Sequence, residues 1–240
     1  MPEDERPPAA RDLRTLAEGE VEVVGRLPWS SNRTFLATCA LDNDELAAVY
    51  KPGRGERRLW DFPANIYRRE VAAYELSAAL GWRLVPETVE RHDAPLGPGS
   101  LQRFVPADFS QHHFTLVEDD AHHERLRAIC AFDIVANNAD RKSGHCLLGD
   151  DGEVWAIDNG LCFHVEPKLR TVIWEFAGEP VPVTLLRDLA RIAESAPQTL
   201  RGLLSAREID AVRRRARALL DIGCFPIPDP DRYHYPWPLV

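Results

Sequence analysis

The sequence predicts an α+β protein of two lobes, a β-rich lobe followed by a helical lobe, with a cleft between them. Strand-like segments separated by turn residues dominate residues 19–106, whereas apolar residues at helical spacing dominate residues 107–225. The chain has 240 residues, of which 45% are hydrophobic, so it can bury a full core without disulfides or structural metals. The prediction follows from the order of these elements and from a composition typical of globular proteins.

The first lobe is predicted to contain three strands, one helix and two further strands. The helix is predicted from an apolar stripe that includes Val71 and Leu76, and Gly81 lies where a C-cap would fall. Two of the predicted strands lie in residues 21–41, on either side of a turn at residues 30–32, and the other three lie in residues 45–51, 83–91 and 100–106. The predicted helix lies in residues 63–80.

The second lobe is predicted to be mostly helical, with one short hairpin after the polar loop 137–145. Ser205 and Glu208 form a capping-box pattern at the start of the last helix. The predicted helices lie in residues 120–135, 184–193 and 205–220, and the hairpin strands in residues 146–149 and 153–158.

Both ends of the chain are rich in proline. We predict that residues 1–18, which are also polar, are loose. Residues 226–240 contain five prolines, which exclude a helix or a central strand. We expect this tail to wrap the surface with its aromatic residues as anchors.

Charge and cysteine usage limit the classes of partner and compartment. The 29 Lys and Arg against 38 Asp and Glu give a net charge of −9, which disfavours nucleic acids and anionic lipid surfaces as partners. No segment is apolar enough to span a bilayer, and the acidic start does not resemble a targeting peptide. We therefore expect no integral membrane association. Five cysteines without a C-x-x-C pair predict a reducing cytoplasm and no disulfide framework; they are Cys39, Cys130, Cys146, Cys162 and Cys224.

Several polar residues lie beside apolar sequence, where a charge is costly. Lys51 ends an apolar strand, and Glu70, in the following helix, could hold its ammonium group. The loop after the helix of residues 120–135 contains Asp140, Lys142 and His145, and Asp158 comes after the apolar residues 154–157 of the second hairpin strand. The hairpin would bring Asp140 and Asp158 together, and two converging carboxylates typically bind a hard cation such as Mg²⁺. Turn formation or ordinary surface exposure is the alternative for each of these residues taken alone.

In this order and spacing, the residues resemble the phosphatidylinositol 3-/4-kinase superfamily, with its type II phosphatidylinositol 4-kinase and HipA-type relatives. That superfamily has a loop of the form D-x-x-x-x-N-x-D-R-H-x-x-N, and the segment VYKPGRGE at 49–56 is similar to its lysine strand. The chain is also similar over most of its length to an actinobacterial family of kinase-like proteins. The segments that show this similarity are REVAAYELSAALGW, NNADRKSGH and KLRTVIWEFAGEP, and the loop residues matched are Asp133, Asn138, Asp140 and Arg141.

The resemblance implies a bilobal protein-kinase-like fold and an ATP cleft, with phosphoryl transfer to a protein or small-molecule acceptor. Lys51, held by Glu70, would neutralise the α- and β-phosphates of ATP. Asp140 would position or deprotonate the acceptor, and Lys142 would contact the γ-phosphate. Asp158, with His145, would hold Mg²⁺ or Mn²⁺. Main-chain groups would contact the nucleotide at Ser30, Ser31 and Asn32 over the phosphates and at Gln102, Arg103, Phe104 and Val105 beside adenine.

His145 departs from the family pattern, because Asn usually stands at this position. Imidazole suits Mn²⁺ or Zn²⁺ better than Mg²⁺, so a nucleotide-binding pseudokinase is one alternative function. Transfer of AMP rather than of the γ-phosphoryl group is another. The pairs of neighbouring His and Cys residues raise the hypotheses of a zinc enzyme or of a Cys146 nucleophile, but no motif of either class accompanies them.

Overall fold

The computed structural model describes residues 8–28 and 33–240. The described chain divides into two compact units. The first comprises the described residues up to Val71 together with Pro86–Val105, and the second comprises Ala72–Val85 and Pro106–Val240.

A five-stranded antiparallel sheet forms most of the first unit. Side chains alternate between its two faces, so that Ala37 and Cys39 of the second strand and Tyr50 of the third strand are buried. All five predicted strands are confirmed. They are β1 (Glu20–Arg26), β2 (Phe35–Leu41), β3 (Asp44–Pro52), β4 (Thr88–Arg91) and β5 (Gly99–Arg103), in the spatial order β1-β2-β3-β5-β4.

The prediction that residues 1–18 are loose is wrong for the part that the structure describes. Helix α1 (Pro8–Glu18) begins with a proline, which is well suited to the first helical position because its missing N–H needs no partner there. Leu16 is fully buried in the core of the sheet. The Arg91 guanidinium donates hydrogen bonds to the carbonyls of Leu16 and Gly19, which fixes the end of the helix.

The second unit is mostly helical, as predicted. Its helices include the C-terminal part of α2 (Tyr67–Leu80), whose Ala72, Leu76 and Leu80 are buried in this unit's core. For this reason residues 72–85 belong to the second unit, whereas we predicted a first lobe that extends over residues 19–106. The other elements are α3 (His113–Leu116), α4 (His123–Ala136), the antiparallel hairpin β6 (Cys146–Leu148) and β7 (Val154–Ala156), α5 (Val183–Glu194) and α6 (Ala206–Ile222).

The two helix ends that the sequence marks most clearly are confirmed. Gly81 follows α2 with a φ of 77°, a left-handed conformation that glycine adopts at no steric cost. Ser205 caps α6, since its side chain accepts a hydrogen bond from the amide of Glu208 while the Glu208 carboxylate accepts one from the Ser205 amide. No helix in residues 8–28 and 33–240 has the length and apolar character to cross a membrane.

The C-terminal tail, residues 226–240, is anchored differently from the prediction. Tyr233 and Trp237 are each 88% exposed, so these aromatic rings are not the anchors. Instead the carbonyl of His234 accepts hydrogen bonds from the amide of Thr171 and from the indole of Trp174. The Leu239 carbonyl accepts a hydrogen bond of 2.8 Å from the amide of Ser143.

Candidate functional site

Lys51 and Glu70 form an ion pair within the first unit. Lys51 lies near the end of β3, and Glu70 lies in the first turn of α2. The Lys51 ammonium donates to Oε1 of Glu70, whose side chain is 4% exposed, while the Lys51 side chain remains 21% exposed. Because Tyr50 and Pro52 on either side are buried, strand alternation directs Lys51 to the other face of the sheet. The structure therefore brings together the cation and the carboxylate that the sequence pairs.

The segment predicted to lie beside adenine forms the end of β5 and the residues after it. Gln102 is buried and donates a hydrogen bond to the hydroxyl of Thr88. The amides of Arg103 and Phe104 donate to carbonyls within the same unit, those of Glu87 and Ala47. Val105 is also buried. Ser30, Ser31 and Asn32, predicted to cover the phosphates, lie outside the described residues.

The polar loop of the second unit begins where α4 ends. Asn137 adopts the left-handed conformation, with a φ of 55°, and this ends the helix. The next residue, Asn138, is fully buried. Its side chain donates to Asp133 of α4 and accepts a hydrogen bond of 2.9 Å from the amide of Asp140. The position of Asp140 is therefore set by two side-chain hydrogen bonds from the helix end.

Asp140 and Lys142 lie next to each other in this loop. Nζ of Lys142 is 3.5 Å from Oδ2 of Asp140, and both side chains are partly exposed. Burial raises the pKa of Asp140 to about 6; the Lys142 ammonium opposes this shift and the Asp158 carboxylate adds to it. A carboxylate with a raised pKa can both accept and release a proton near neutral pH.

His145 lies between Asp140 and Asp158. Its Nδ1 is 3.0 Å from the carbonyl oxygen of Asp140, and its Nε2 is 3.3 Å from Oδ2 of Asp158. Asp158 follows β7 in the left-handed conformation, with a φ of 56°, and its side chain is half exposed. The hairpin of β6 and β7 thus brings the predicted acidic residues to one histidine.

A buried ionic network lies behind this group. The side chains of Arg141 and Asp133 are both completely buried, and the guanidinium forms bidentate hydrogen bonds of 2.9 and 3.0 Å with the carboxylate. Arg141 also donates 2.7 Å hydrogen bonds to the carbonyl of Ile157 and to Oδ1 of Asn159. Ile157 and Asn159 flank Asp158, so Arg141 links α4 to the segment that holds Asp158, the candidate metal ligand.

Sequence reasoning did not assign a role to Arg141. The sequence does contain one signal, Asp133, which lies in the mostly apolar helix segment from Ala128 to Val135. A buried carboxylate needs a cationic partner, and the next arginine along the chain is Arg141. The network could have been predicted from that requirement, but its hydrogen bonds to both neighbours of Asp158 could not.

The hypotheses of a zinc enzyme and of a Cys146 nucleophile receive no support from the geometry of the described residues. Cys146 is fully buried, and burial raises the pKa of its thiol to about 12, which disfavours the thiolate that a nucleophile needs. His113 contacts Glu175, and His123 contacts the carbonyl of Val117. In residues 8–28 and 33–240, no three His, Cys, Asp or Glu side chains converge as a set of metal ligands.

Comparison with known proteins identifies a matching family model and a similar protein. Residues 63–219 match the family model described as phosphatidylinositol 3- and 4-kinase. Protein Rv2133c of Mycobacterium tuberculosis (strain ATCC 25618 / H37Rv) is 41% identical over an alignment 261 positions long, which covers 93% of this chain and 93% of Rv2133c.

Two solved structures show the same fold. The structure of hydra Fam20 with sugar has a TM-score of 0.56 and 15% identity, and the match covers 89% of this chain and 87% of Fam20. The Helicobacter pylori proinflammatory kinase CtkA has a TM-score of 0.51 and 11% identity, with coverage of 88% of this chain and 94% of CtkA. The predicted α+β, protein-kinase-like fold is thus confirmed.

The family-model match extends over more than half of the chain, and the relative from Mycobacterium tuberculosis is similar over nearly its full length. The resemblance noted in the sequence is confirmed, and the chain belongs to the phosphatidylinositol 3- and 4-kinase family.

Proposed function

We propose that this protein transfers the γ-phosphoryl group of ATP, in the presence of Mg²⁺ or Mn²⁺, to a protein or small-molecule acceptor. The observation that best supports this proposal is the grouping of Asp140, Lys142, His145 and Asp158, each within 3.5 Å of another member of the group. Phosphoryl transfer needs a carboxylate for the acceptor, cations for the phosphates and ligands for a metal ion. This group contains all three.

Lys51 is proposed to neutralise the α- and β-phosphates of ATP. The Glu70 carboxylate holds its ammonium in one place, so less conformational freedom is lost when a phosphate binds. The amides of Arg103 and Phe104 are occupied within the first unit. Contacts to adenine in the segment Gln102–Val105 would therefore use main-chain carbonyls or the Val105 amide. The proposed phosphate contacts of Ser30, Ser31 and Asn32 stay a prediction.

Asp140 is proposed to accept the proton of the acceptor hydroxyl. As that oxygen forms a bond to the γ-phosphorus, the bond between the γ-phosphorus and the bridging oxygen breaks, and its electron pair leaves with ADP. The proton moves to the Asp140 carboxylate, which a pKa of about 6 allows near neutral pH. Lys142, beside Asp140, would offset the negative charge of the transferred group.

Asp158 and His145 are proposed to hold the divalent ion. A carboxylate oxygen and an imidazole nitrogen that lie 3.3 Å apart fit such an ion as two of its ligands. The described residues supply no third His, Cys, Asp or Glu in a common cluster, so phosphate oxygens of ATP and water would complete the coordination. When bound, the ion would neutralise the charge of the β- and γ-phosphates.

The acceptor is proposed to be a protein or a small molecule rather than a lipid in a membrane. The net charge of −9 opposes binding to an anionic lipid surface.

The protein is proposed to act in the cytoplasm. The five cysteines are free thiols, four of them buried, which is compatible with the predicted reducing compartment.

The test is to identify the products that purified protein forms from ATP with Mg²⁺ and with Mn²⁺. We expect metal-dependent ADP formation that is lost in Lys51→Ala and in Asp158→Ala. Asp221→Ala and Arg217→Ala, which remove exposed charges on α6, should keep the wild-type rate and serve as matched controls.

Other product patterns would overturn the proposal in specific ways. Pyrophosphate release would indicate AMP transfer. ATP binding without any product, in the presence of a broad set of protein and small-molecule acceptors, would indicate a pseudokinase.

A further inference from the structure

Arg170 lies beside Asp140, the proposed base, and has no role in the chemistry proposed above. Its amide donates a hydrogen bond of 2.8 Å to the carbonyl of Asn138, and its carbonyl accepts one of 3.0 Å from the amide of Arg141. Asn138 and Arg141 stand on either side of the dipeptide that ends in Asp140. The main chain of Arg170 is therefore fixed directly against the segment that holds the proposed base.

The neighbouring residues show to which side Arg170 points. Arg141 and Thr171 form a parallel β-bridge, and both side chains donate hydrogen bonds to the buried carboxylate of Asp133. Adjacent residues of extended segments point to opposite sides. The residues that precede the bridge, Asp140 and Arg170, therefore share the side away from Asp133. Their exposure agrees, because the side chain of Asp140 is 27% exposed and Arg170 is exposed, whereas both bridged residues are buried.

The guanidinium of Arg170 carries a charge that no described carboxylate neutralises. In residues 8–28 and 33–240, no Asp or Glu oxygen lies within 4.0 Å of it. By contrast, the exposed arginines Arg191 and Arg214 pair with carboxylates of their own helices. In a chain with a net charge of −9, this cation beside the proposed base is available to an anionic group of a ligand.

The surface that holds Arg170 continues to the C-terminal tail. The amide of Thr171 donates a hydrogen bond of 2.9 Å to the carbonyl of His234, so residues 170–172 lie between the Asp140 loop and the tail. Hydrogen-bonded extended segments are about 4.8 Å apart, which places the tail about 10 Å from the Asp140 segment. About three residues of an extended peptide span this length. Two exposed tyrosines flank His234, and their rings are available to apolar side chains.

We infer that Arg170 is a specificity-determining residue, which binds an acidic side chain of a protein acceptor within about three residues of the hydroxyl that is phosphorylated. The inference rests on the proposed function, because it names the class of acceptor for that site. A guanidinium binds a carboxylate or a phosphate group through two parallel hydrogen bonds, so aspartate, glutamate and phosphoserine are the expected partners. Lys142 stays with Asp140 and the transferred phosphoryl group.

A protein acceptor fits these observations better than a membrane lipid. The net charge of −9 repels an anionic bilayer, which a whole face of the protein would have to approach. An extended peptide approaches only the surface near Asp140, where Arg170 and Lys142 are cationic. The length from the Asp140 segment to the tail also suits an extended peptide.

The test is a library of synthetic peptides with one central serine or threonine in a background of alanine and glycine. Each neighbouring position carries aspartate, glutamate, phosphoserine or lysine in turn, and transfer from γ-labelled ATP is measured with Mg²⁺ and with Mn²⁺. For wild type we expect faster transfer when an acidic residue occupies one or two of these positions. In Arg170→Ala the ratio of rates for acidic and lysine peptides should fall about tenfold.

Charge reversal separates recognition from a structural role. In Arg170→Glu the preference should change to lysine at the same positions, which a loss of stability alone would not produce. Arg217→Glu, which reverses an exposed charge on α6, is the matched control and should keep the acidic preference of wild type.

The results that would overturn the inference differ from the result that would overturn the proposed function. Peptide phosphorylation without an acidic preference, or with an unchanged preference in Arg170→Ala, excludes this role of Arg170 and leaves the proposed function standing. ADP formation without transfer to any peptide excludes an acidic protein acceptor. Transfer to phosphatidylinositol vesicles or to glycerate would then identify a lipid or a small molecule instead. If no ADP forms with any of these acceptors, the proposed function itself fails.

Discussion

The Lys51–Glu70 ion pair of the first unit and the Arg141–Asp133 network of the second differ in how deeply they are buried. Lys51 and Glu70 form one ion pair, and the lysine is partly exposed. Arg141 and Asp133 are completely buried, and Arg141 binds groups from three chain segments: α4, the residue before Asp158 and the residue after it. From this comparison we expect the loss of Lys51 to reduce the stability of the fold less than the loss of Arg141.

The largest effect on rate is expected for Asp140→Asn. This substitution tests whether the proposed base can be removed without loss of the stability that the buried Arg141–Asp133 network provides. Asp140 is linked to that network through Asn138, and its carboxylate is not itself among the partners of Arg141. We expect ADP formation to fall by about 10²–10⁴-fold. The melting temperature should stay close to that of wild type. Activity above a tenth of wild type would exclude Asp140 as the base.

The next largest effect is a loss of stability in Arg141→Ala. Removing one partner of a buried ion pair leaves an uncompensated charge, at a cost of about 3–5 kcal/mol in the free energy of unfolding. Urea denaturation measures this change. The matched control is Arg214→Ala, which breaks an exposed i,i+4 pair with Asp210 and should cost less than about 1 kcal/mol. Equal effects of the two substitutions would remove the distinction between buried and exposed pairs.

Lys51→Met is expected to show the opposite behaviour. The rate of ADP formation should fall by about 10²-fold, because a fixed cation at the phosphates is lost. The free energy of unfolding should fall less than in Arg141→Ala, because Lys51 is 21% exposed whereas both side chains of the Arg141–Asp133 pair are completely buried. An unfolded Lys51→Met protein would show that the two regions do not differ in the way described.

The pH dependence gives a smaller effect, of about tenfold per pH unit below the pKa of the base. Burial raises the pKa of Asp140 to about 6, and the ionised form is the proposed base. The rate should therefore fall as the pH decreases through about 6. The contribution of Asp140 to the free energy of unfolding changes in the opposite direction. Because its pKa is raised in the folded state, the folded protein takes up this proton at a higher pH than the unfolded chain does, so this contribution increases as the pH decreases through about 6. A rate profile that is flat between pH 7 and pH 5, in protein that stays folded, would contradict this role.

The smallest effect is expected from the tail. Ending the chain after Pro236 removes the Leu239 carbonyl that accepts the hydrogen bond from Ser143 in the Asp140–His145 loop. We expect a loss of about 1 kcal/mol in stability and a decrease of a few-fold in rate. The control is Trp237→Ala, whose exposed ring should have little effect on either quantity. A truncated protein equal to wild type would show that the tail does not support the loop.

Local patterns predicted much of the fold, because they reflect requirements of single elements. The alternation in β2 and β3, Gly81 after α2 and the capping box at Ser205 each report a local preference that the structure retains. Helix α1 was not predicted, because its stability depends on the burial of Leu16 in a distant sheet. The division within α2 was not predicted for the same reason, since the core that covers its C-terminal half comes from later in the chain.

The candidate site was predictable to a similar extent. The spacing of Asp140, Lys142, His145 and Asp158 was sufficient to expect that they meet. The contact of His145 Nδ1 with the Asp140 carbonyl and the hydrogen bond from Arg141 to the Ile157 carbonyl depend on main-chain geometry, and a sequence does not show where these carbonyls point. The roles of Tyr233 and Trp237 were misjudged because the tail is held by the His234 carbonyl and ring, both of which contact Trp174, and by the Leu239 carbonyl.

The most direct test of the account is a binding isotherm for ATP with purified protein, measured without metal and with Mg²⁺ or Mn²⁺. We predict saturable binding that requires the metal and is weakened in Lys51→Ala and Asp158→Ala but not in Asp221→Ala. Absence of ATP binding with either metal would contradict the proposal that this chain is an ATP-dependent phosphotransferase.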